Sequence, residues 1–426
     1  MGDLLGKLTS YFKIRYAIML VPVCGFAIYD SVFQSFSSIL GVLRNAYPDV
    51  PVTAIQMILA LPPMVSIPGT LLAGFLAAYI HKKRLAEFAL AIIFVGGMIP
   101  VVFPEPSIYA MFACSACIGV GQGFLHPLAN AIICQRWEDD SERSRVLGFK
   151  QCFNYLGEVL VTLCVGFLAL ARWGNAFLVY LGVIPVFLVT HFCLPKGELD
   201  KRLIDREHRA EGLRDLLRPR VVYLFVLFFF AMMCLYGYYT NIALLVQERS
   251  LGTTADIAGI SSTISIASLV LGALYGLVSK RLGRFTLTVG FGLLACGMLV
   301  VSLGVSLPMI VAGGILIGLG VGIQQISTVY YISKAVNPRL VTLAVSIALS
   351  CISLGASLAP LVIGFVNVTV LGAQTAAGGL MVSSAGYLVL MLVEGGLTLC
   401  RKRAHDEDDH EGLTPEQAAD MAPEED

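Results

Sequence analysis

Ile118–Gly123 has the sequence IGVGQG, and a closely similar stretch, IGLGVG, occupies Ile317–Gly322. Both stretches lie in the middle of long apolar runs, so each predicts a helix whose glycine face packs closely against a neighbouring helix. A nucleotide-binding glycine loop would need a strand before it, and neither place has one in its sequence pattern. The separation of about 200 residues indicates instead that the chain contains an internal repeat.

Two further pairs of segments match at nearly the same separation. Residues 74–84 match residues 276–284, and residues 156–166 match residues 354–364. A parallel duplication of a six-helix unit explains all three matches. In membrane proteins built from such repeats, the binding site lies between the halves near the middle of the bilayer. The sequence therefore predicts a site at the interface of two related bundles.

The composition is that of a membrane protein. Hydrophobic residues make up 57% of the chain and charged residues only 14%, and the mean hydropathy is +0.80. Soluble proteins have a charged share of roughly 25%. Apolar runs of about 20 residues predict twelve transmembrane helices and no strands. These runs are 15–43, 52–80, 86–103, 107–135, 146–171, 174–194, 220–247, 255–279, 285–305, 308–333, 340–366 and 376–399.

Basic residues are distributed unevenly between the loops. The N-terminus, residues 81–84, the central loop and residues 401–403 are rich in lysine and arginine. Loops on the opposite side of the membrane contain few basic residues. By the positive-inside rule, both termini and the central loop are predicted to be cytoplasmic. The sparse basic residues of the other side are Arg44, Arg172 and Arg249.

The predicted domains follow from these runs. An N-terminal six-helix bundle covers 1–195, a cytoplasmic loop covers 196–219, and a C-terminal six-helix bundle covers 220–400. The loop mixes charges with spaced leucines, which predicts either a short amphipathic surface helix or a solvated linker. The acidic cytoplasmic tail at 401–426 has few large apolar side chains, so we expect it to be disordered.

The loops after the second and eighth predicted helices carry a known motif, G-x-x-x-D-R-x-G-R-R. The C-terminal copy, GLVSKRLGR, has Gly276, Arg281, Gly283 and Arg284 at motif positions, with Lys280 at the position of the acid. The N-terminal copy departs further from the motif, because alanine and histidine replace the acid and the second glycine. The motif residues that it keeps are Gly74, Lys82 and Lys83.

With this motif, twelve spans and a cytoplasmic central loop, the chain from about residue 15 to 400 resembles the major facilitator superfamily of secondary transporters. The resemblance implies an all-α membrane protein with two pseudo-symmetric six-helix bundles. It also implies transport by alternating access, with the motif residues forming a cytoplasmic gate. The expected partners are a small-molecule substrate, protons and the lipid bilayer.

A polar stripe runs along the fifth predicted helix. Lys150, Asn154 and Glu158 recur every four residues, so they share one helix face. An ionised side chain at the centre of a membrane helix costs roughly 2.5 to 3.5 kcal/mol, so this face should contact protein or water rather than lipid. Alternatively, Lys150 extends along the helix to the headgroups. The matching positions of the other half are apolar, which favours a functional role; they are Ala348, Ile352 and Ala356.

Two other helices of the N-terminal half carry polar residues at the same spacing. Asp30 and Gln34 share a face of the first helix, and an isolated carboxylate there predicts either a proton relay or a hydrogen bond between helices. The fourth helix has Gln122, His126 and Asn130 on one face. His126 could accept the coupling proton, bind a carboxylate, or be a packing histidine.

The C-terminal half contributes neutral hydrogen-bonding and aromatic side chains. Such groups suit recognition of an organic solute by shape. Some of the tyrosines are expected to belong to the membrane interface instead. The candidate solute-binding residues of this half are Tyr236, Tyr239, Gln324 and Gln325.

These residues, together with the resemblance, predict a proton-coupled secondary transporter of a small organic solute. Asp30 and Glu158 are the predicted proton-coupling residues, and Lys150 and His126 the predicted contacts of a polar or anionic group. A carboxylate-bearing solute would give Lys150 a partner; alternatively, Lys150 pairs with Asp30 or Glu158 as a gate. The second candidate function is efflux of toxic compounds by proton antiport, although the fifth helix lacks the glycine-proline pattern typical of the family's drug antiporters.

The sequence gives little support for an enzyme or for a nucleic-acid-binding protein. No H-E-x-x-H, G-x-S-x-G or phosphate-loop motif occurs, so we do not expect an enzyme, a cofactor or a metal site. Lys+Arg and Asp+Glu both number 29, which gives no indication of a nucleic-acid partner. We expect a monomeric multi-pass protein, and the short loops favour the cytoplasmic (inner) membrane of a bacterium.

Overall fold

The computed structural model describes residues 19–30, 32–77, 79–103, 105–136, 140–195, 217–336, 341–372 and 375–411. Within these residues the fold is helical, without strands. Eleven apolar helical segments are long enough to cross a membrane, and one of them, Thr254–Leu303, has 50 residues. A helix of that length would measure about 75 Å, far more than one bilayer crossing needs. A 3-10 turn at Gly283–Phe285 divides it into two helices, which completes the predicted twelve.

We number the helices α1 to α12 in chain order. The N-terminal half contains α1 (Met19–Ala46), α2 (Val52–Leu76), α3 (Lys82–Val102), α4 (Ile108–Arg136), α5 (Asp140–Ala171) and α6 (Trp173–Cys193). The C-terminal half contains α7 (Pro219–Glu248), α8 (Thr254–Leu282), α9 (Thr286–Leu303), α10 (Leu307–Ala335), α11 (Val341–Leu371) and α12 (Ala376–Glu411). We call end A the end of the bundle at which α1 finishes, and end B the end at which α2 finishes.

The last helix is longer than the sequence predicted. The apolar run ends near residue 399 and disorder was expected from residue 401, but α12 continues to Glu411. Residues 401–411 contain no glycine or proline that would end the helix. The rest of the tail and residues 196–216 of the central loop lie outside the described residues, so those predictions are untested.

Two helices contain long 3-10 stretches that the sequence did not predict. They cover Val32–Ile39 in α1 and Trp173–Gly182 in α6. In a 3-10 helix residues three apart align, and Phe33 and Phe36 accordingly stack with their ring centroids 5.6 Å apart. Phe36 also stacks on Tyr180 of α6 at 5.7 Å, so aromatic contacts join the two stretches.

The helix contacts repeat between the halves. In the N-terminal half α4 packs against α2 and α3, and in the C-terminal half α10 packs against α8 and α9. Across the interface, α5 packs against α8 and α2 packs against α11. A parallel duplication exchanges α2 with α8 and α5 with α11, so these two cross-half contacts are equivalent. The architecture predicted from the repeat is therefore present.

The glycine stretches lie at the closest helix contacts. A Cβ atom added to Gly123 of α4 would lie 2.5 Å from the carbonyl oxygen of Ser66 in α2. At the equivalent place in α10, a Cβ on Gly322 would lie 2.9 Å from the carbonyl oxygen of Ser268 in α8. Side chains do not fit at these distances, which confirms that the glycines serve close helix packing.

Replacing Gly123 with leucine should destabilise the protein. The larger side chain would have to push α2 away from α4, and overpacking of this kind costs about 1–3 kcal/mol or more. We expect a clearly lower melting temperature in detergent and a smaller folded yield. Gly396→Leu is the matched control, because a Cβ at that position meets no atom within 4 Å. Equal melting temperatures of the two variants would show that the α2–α4 contact tolerates a side chain.

Candidate functional site

A cavity of about 120 Å³ lies between the two halves, near the middle of the helices. Helices α1, α4 and α5 form one side of it, and α7, α8 and α10 form the other. Its polar lining residues are Asp30, Gln34, His126, Gln151, Asn154, Tyr155, Glu158, Tyr239, Ser265, Ser268 and Gln325, and its apolar ones are Met232, Leu235, Ile264 and Val321. The cavity therefore brings together residues that are far apart in sequence.

Asp30 and His126 are hydrogen-bonded to each other in the cavity wall. The Oδ2 atom of Asp30 lies 2.6 Å from Nδ1 of His126, and the side chains are only 15% and 34% exposed. Asp30 precedes the 3-10 stretch Val32–Ile39 of α1, while His126 is on α4. With a proton on Nδ1, the imidazole donates to the carboxylate, so the two groups can hold one proton between α1 and α4.

Lys150 points into the N-terminal half rather than into the cavity. The side chain is 5% exposed, and its Nζ atom donates to Oδ1 of Asn130 on α4 at 2.9 Å. It also interacts electrostatically with Asp30. The alternative in which Lys150 extends to the headgroups is wrong, whereas the alternative in which it interacts with Asp30 agrees with the structure. The reason is that Asn130 lies one helical turn from His126, on the face of α4 that meets α5.

Asn154 and Glu158 connect α5 to other helices. Nδ2 of Asn154 donates to the carbonyl oxygen of Ala27 in α1 at 2.8 Å. Glu158 is 9% exposed, lines the cavity and is hydrogen-bonded to Ser265 of α8. Among the described residues, no lysine or arginine forms a salt bridge with Glu158. This carboxylate thus lies at the α5–α8 contact between the halves without a cation beside it.

The remaining predicted contacts divide into two groups. Gln34, Tyr239 and Gln325 line the cavity, and Tyr236 packs behind it with its ring centroid 5.7 Å from that of Tyr239. Tyr236 is also within hydrogen-bonding reach of Gln34 across the interface. A solute bound between the halves would contact these side chains or their neighbours.

Two predicted solute contacts bond within their own halves. Nε2 of Gln122 donates to the carbonyl oxygen of Tyr29 at 3.4 Å, which links α4 to α1. Gln324 accepts from the hydroxyl of Tyr387 at 3.0 Å, which links α10 to α12. Neither glutamine lines the central cavity. Their helix faces were predicted correctly as polar, but both stabilise helix contacts.

The sequence analysis missed several lining residues. Gln151 and Tyr155 extend the α5 stripe, and Ser265 and Ser268 face them from α8. A signal for the serines exists, because serines on α8 recur at helical spacing on one face and the duplication places α8 against α5. The serines of that face are Ser261, Ser262, Ser265 and Ser268.

Hydrogen bonds join the two halves near end A. Nε2 of Gln56 donates to Oδ1 of Asn241 at 3.0 Å, and the hydroxyl of Thr254 donates to the carbonyl oxygen of Gly166 at 3.2 Å. Both bonds cross the interface near end A. The structure therefore represents a state closed at end A.

Sequence comparison identifies the family. A profile of the Major Facilitator Superfamily matches residues 19–360 and, in a second overlapping match, residues 248–415. The chain belongs to the Major Facilitator Superfamily. Together the two matches span both six-helix halves of this superfamily member, so the resemblance inferred from the loop motif is confirmed. Among curated protein sequences, no match is found.

Solved structures of other transporters share the fold of this Major Facilitator Superfamily protein. The nucleoside transporter NupG, as a mutant, has a TM-score of 0.72 at 13% identity, covering 90% of this chain and 99% of its own. A bacterial homologue of the human lysosomal transporter Spinster, inward-facing and unoccupied, gives 0.71 at 14% identity, with 92% and 98% covered. A mutant of the peptide transporter POT gives 0.68 at 13% identity, with 89% and 93% covered. At these identities the likeness establishes the fold alone.

In the N-terminal copy of the superfamily loop motif, Lys83 contacts α6 of its own half. Nζ of Lys83 donates to the carbonyl oxygen of His191 in α6, whose Nδ1 lies 3.0 Å from Oε1 of Glu87. Lys82 is buried beside them at the start of α3. Gly74 lies within α2, near end B. These contacts hold α3 against α6.

The C-terminal copy of the motif is exposed. Arg281 and Arg284 extend from the turn between α8 and α9 at end B, and neither forms a salt bridge within the described chain. Gly283 has a φ angle of 52°, in the left-handed region that favours glycine, which explains that motif position. In this state the two copies of the motif are not linked by any ion pair among the described residues, so a gate role remains a prediction.

Proposed function

We propose that this Major Facilitator Superfamily protein is a proton-coupled secondary transporter that moves a small organic solute by alternating access. The observation that carries the proposal is the hydrogen bond of 2.6 Å between Asp30 and His126 in the wall of the central cavity. Ionisable groups inside a membrane are costly and typically mark proton or substrate pathways. A histidine bonded to a carboxylate can pass a proton to or accept one from a neighbouring group.

The cavity chemistry favours a neutral polar or cationic solute. Its amides and tyrosine rings offer hydrogen bonds and aromatic faces. Both carboxylates, Asp30 and Glu158, line it, whereas the charge of Lys150 is directed to Asn130 and Asp30 behind the wall. A carboxylate-bearing solute, which the sequence suggested, would meet two acids and no lysine. Nucleosides and peptides, the named solutes of two transporters with this fold, are reasonable classes to test.

The orientation follows from the loops. Basic residues concentrate at end B, so the positive-inside rule places end B and both termini in the cytoplasm. The state closed at end A would then be the inward-facing one. We propose the cytoplasmic membrane as the location and a monomer as the working unit.

Asp30 and Glu158 would have different roles in coupling proton movement to solute movement. The Asp30–His126 pair takes up or releases a proton toward whichever side the cavity is open. Glu158 lies on α5 against Ser265 of α8, so its charge would change the strength of the contact along which the halves move. Protonation of Glu158 would remove an uncompensated charge before that contact closes.

Efflux of toxic cations by proton antiport is the second candidate. One observation favours it: Glu158 has no lysine or arginine in salt-bridge contact among the described residues, and Tyr155 and Tyr239 line the same cavity. An anion beside aromatic faces attracts organic cations. Proton antiport would then follow from competition between proton and cation for the same carboxylate.

The experiment is a proton-flux screen in proteoliposomes. The purified protein is reconstituted with a pH-sensitive dye inside, and nucleosides, dipeptides, organic amines, dyes and organic acids are added in turn. We expect proton movement with a neutral or cationic solute, inward with the solute for symport and opposite to it for antiport. Solute uptake without any proton movement would refute coupling, and a response restricted to organic acids would refute the proposed solute class.

A further inference from the structure

A second cavity, of about 290 Å³, lies between the halves at end A. It shares no lining residue with the central cavity. One side is formed by the end of α1 and the start of α2, and the other by α7, α11 and α12 of the opposite half. Nothing in the proposed transport cycle assigns a role to this outer cavity.

Gln56 and Asn241 lie in the wall of the outer cavity, and a hydrogen bond between them joins the two halves. Nε2 of Gln56 donates to Oδ1 of Asn241 at 3.0 Å and lies 3.2 Å from the carbonyl oxygen of Thr240. Both amide side chains are buried, and they belong to different halves. The cavity therefore exists in this form only while the halves are joined at end A.

The outer cavity carries one cation and one anion, on opposite halves. Nη1 of Arg44 donates to the carbonyl oxygens of Pro48 and Val50, at 3.1 and 2.6 Å, which leaves its other nitrogens for a ligand. The carboxylate of Glu248 lies 3.4 Å from the amide nitrogen of Ala376. Within the described chain neither charge has a salt bridge. A solute with a carboxylate and an ammonium group could therefore neutralise both.

Asn367 of α11 provides a third anchor in the same cavity. Its side chain is 2% exposed, and Nδ2 donates to the carbonyl oxygen of Thr375 at 2.8 Å. Oδ1 has no hydrogen-bond partner. A buried acceptor without a donor is costly, so a rotation of the Asn367 side chain that turns Oδ1 toward a ligand N–H in the cavity would recover that free energy.

We propose that the outer cavity binds a small zwitterionic solute with an amide group, and that binding holds the two halves together at end A. Carboxylate, ammonium and amide N–H would meet Arg44, Glu248 and Asn367. Because the walls come from both halves, such a solute has affinity for this state alone and must shift the protein toward it. The outer cavity is then an inhibitory site, distinct from the site at which transported solute binds.

The test uses glycylglycine, which has the three required groups. Equilibrium dialysis of the labelled dipeptide against the purified full-length protein should give saturable binding in the millimolar range or tighter, with a raised melting temperature. Glu248→Gln should weaken binding about tenfold or more, since it removes the anion yet keeps an acceptor for the backbone of Ala376. Acetylglycine, which lacks the ammonium group, should bind weakly and equally to both proteins.

Two matched variants separate this site from the central cavity. Glu105→Gln removes the same charge at end A but outside the cavity, and should bind glycylglycine as the wild type does. Glu158→Gln alters the central cavity, so it reports whether the dipeptide binds there instead. Absence of saturable binding, or equal affinity in wild type and Glu248→Gln, would overturn the proposal. Binding lost in Glu158→Gln but kept in Glu248→Gln would place the dipeptide in the central cavity and would also overturn it.

Discussion

Asp30→Asn should abolish proton-driven accumulation of solute while leaving exchange of solute across the membrane intact. Asparagine has nearly the same shape and can still bond to Nδ1 of His126, but it cannot hold a negative charge or take up a proton. Loss of a proton-transferring side chain commonly costs a factor of about 10² or more. We expect driven uptake in proteoliposomes to fall by at least about a hundredfold, with exchange within a few-fold of wild type.

The control for this variant is Asp49→Asn, the same change in the exposed loop between α1 and α2. It should behave as wild type in both assays. His126→Gln should resemble Asp30→Asn, because it removes the other half of the pair. If Asp30→Asn still accumulates solute along a proton gradient, the pair does not couple transport. If exchange is lost as well, its role is in binding rather than in coupling.

Glu158→Gln should weaken the binding of a cationic solute and reduce its pH dependence. In the wild type, falling pH protonates Glu158, so the affinity for a cation should decrease toward acid pH. Glutamine cannot titrate, so the variant should bind weakly throughout, and any remaining pH dependence should come from the Asp30–His126 pair in the same cavity. A hydrogen bond to a charged group contributes roughly 1.5–3 kcal/mol, which corresponds to a loss of about tenfold or more at alkaline pH. The half-saturating concentration in exchange, measured over a pH series, tests this.

Glu105→Gln serves as the control for the pH series, since Glu105 is exposed in the loop before α4. It should keep the wild-type profile. A Glu158→Gln variant with wild-type affinity and unchanged pH dependence would remove Glu158 from the solute site. Its carboxylate would then act only through the α5–α8 contact.

The fold could be predicted because two simple constraints act on this chain. Membrane helices must be long and apolar, so the apolar runs give the positions of the spans. Close helix contacts need glycine, so the glycines at Gly123 and Gly322 reveal the repeat. The 3-10 stretches of α1 and α6 escaped prediction because they depend on packing between Phe36 and Tyr180, which no local pattern records. The extra length of α12 was missed because hydropathy locates the membrane boundary and not the end of a helix.

The sequence predicted which helix faces carry the site residues, but not which side chains bond to each other. Spacing placed Asp30, His126 and Glu158 on polar faces, and all three line the central cavity. Spacing could not show that Lys150 is bonded to Asn130, or that Gln122 and Gln324 bond within their halves. Those outcomes depend on how far each helix is rotated relative to its neighbour, which a single sequence does not specify.

The glycine contacts have a consequence for how variants of this gene would behave. Since α2 and α4, like α8 and α10, approach too closely to admit a side chain, each half is a stiff unit. Substitutions that disrupt the packing inside a half should lower the amount of protein in the cell. Substitutions along α5 and α8 should leave the amount of protein normal but make the protein inactive. A deep mutational scan that scores abundance and growth separately would sort alleles into these two classes along the chain.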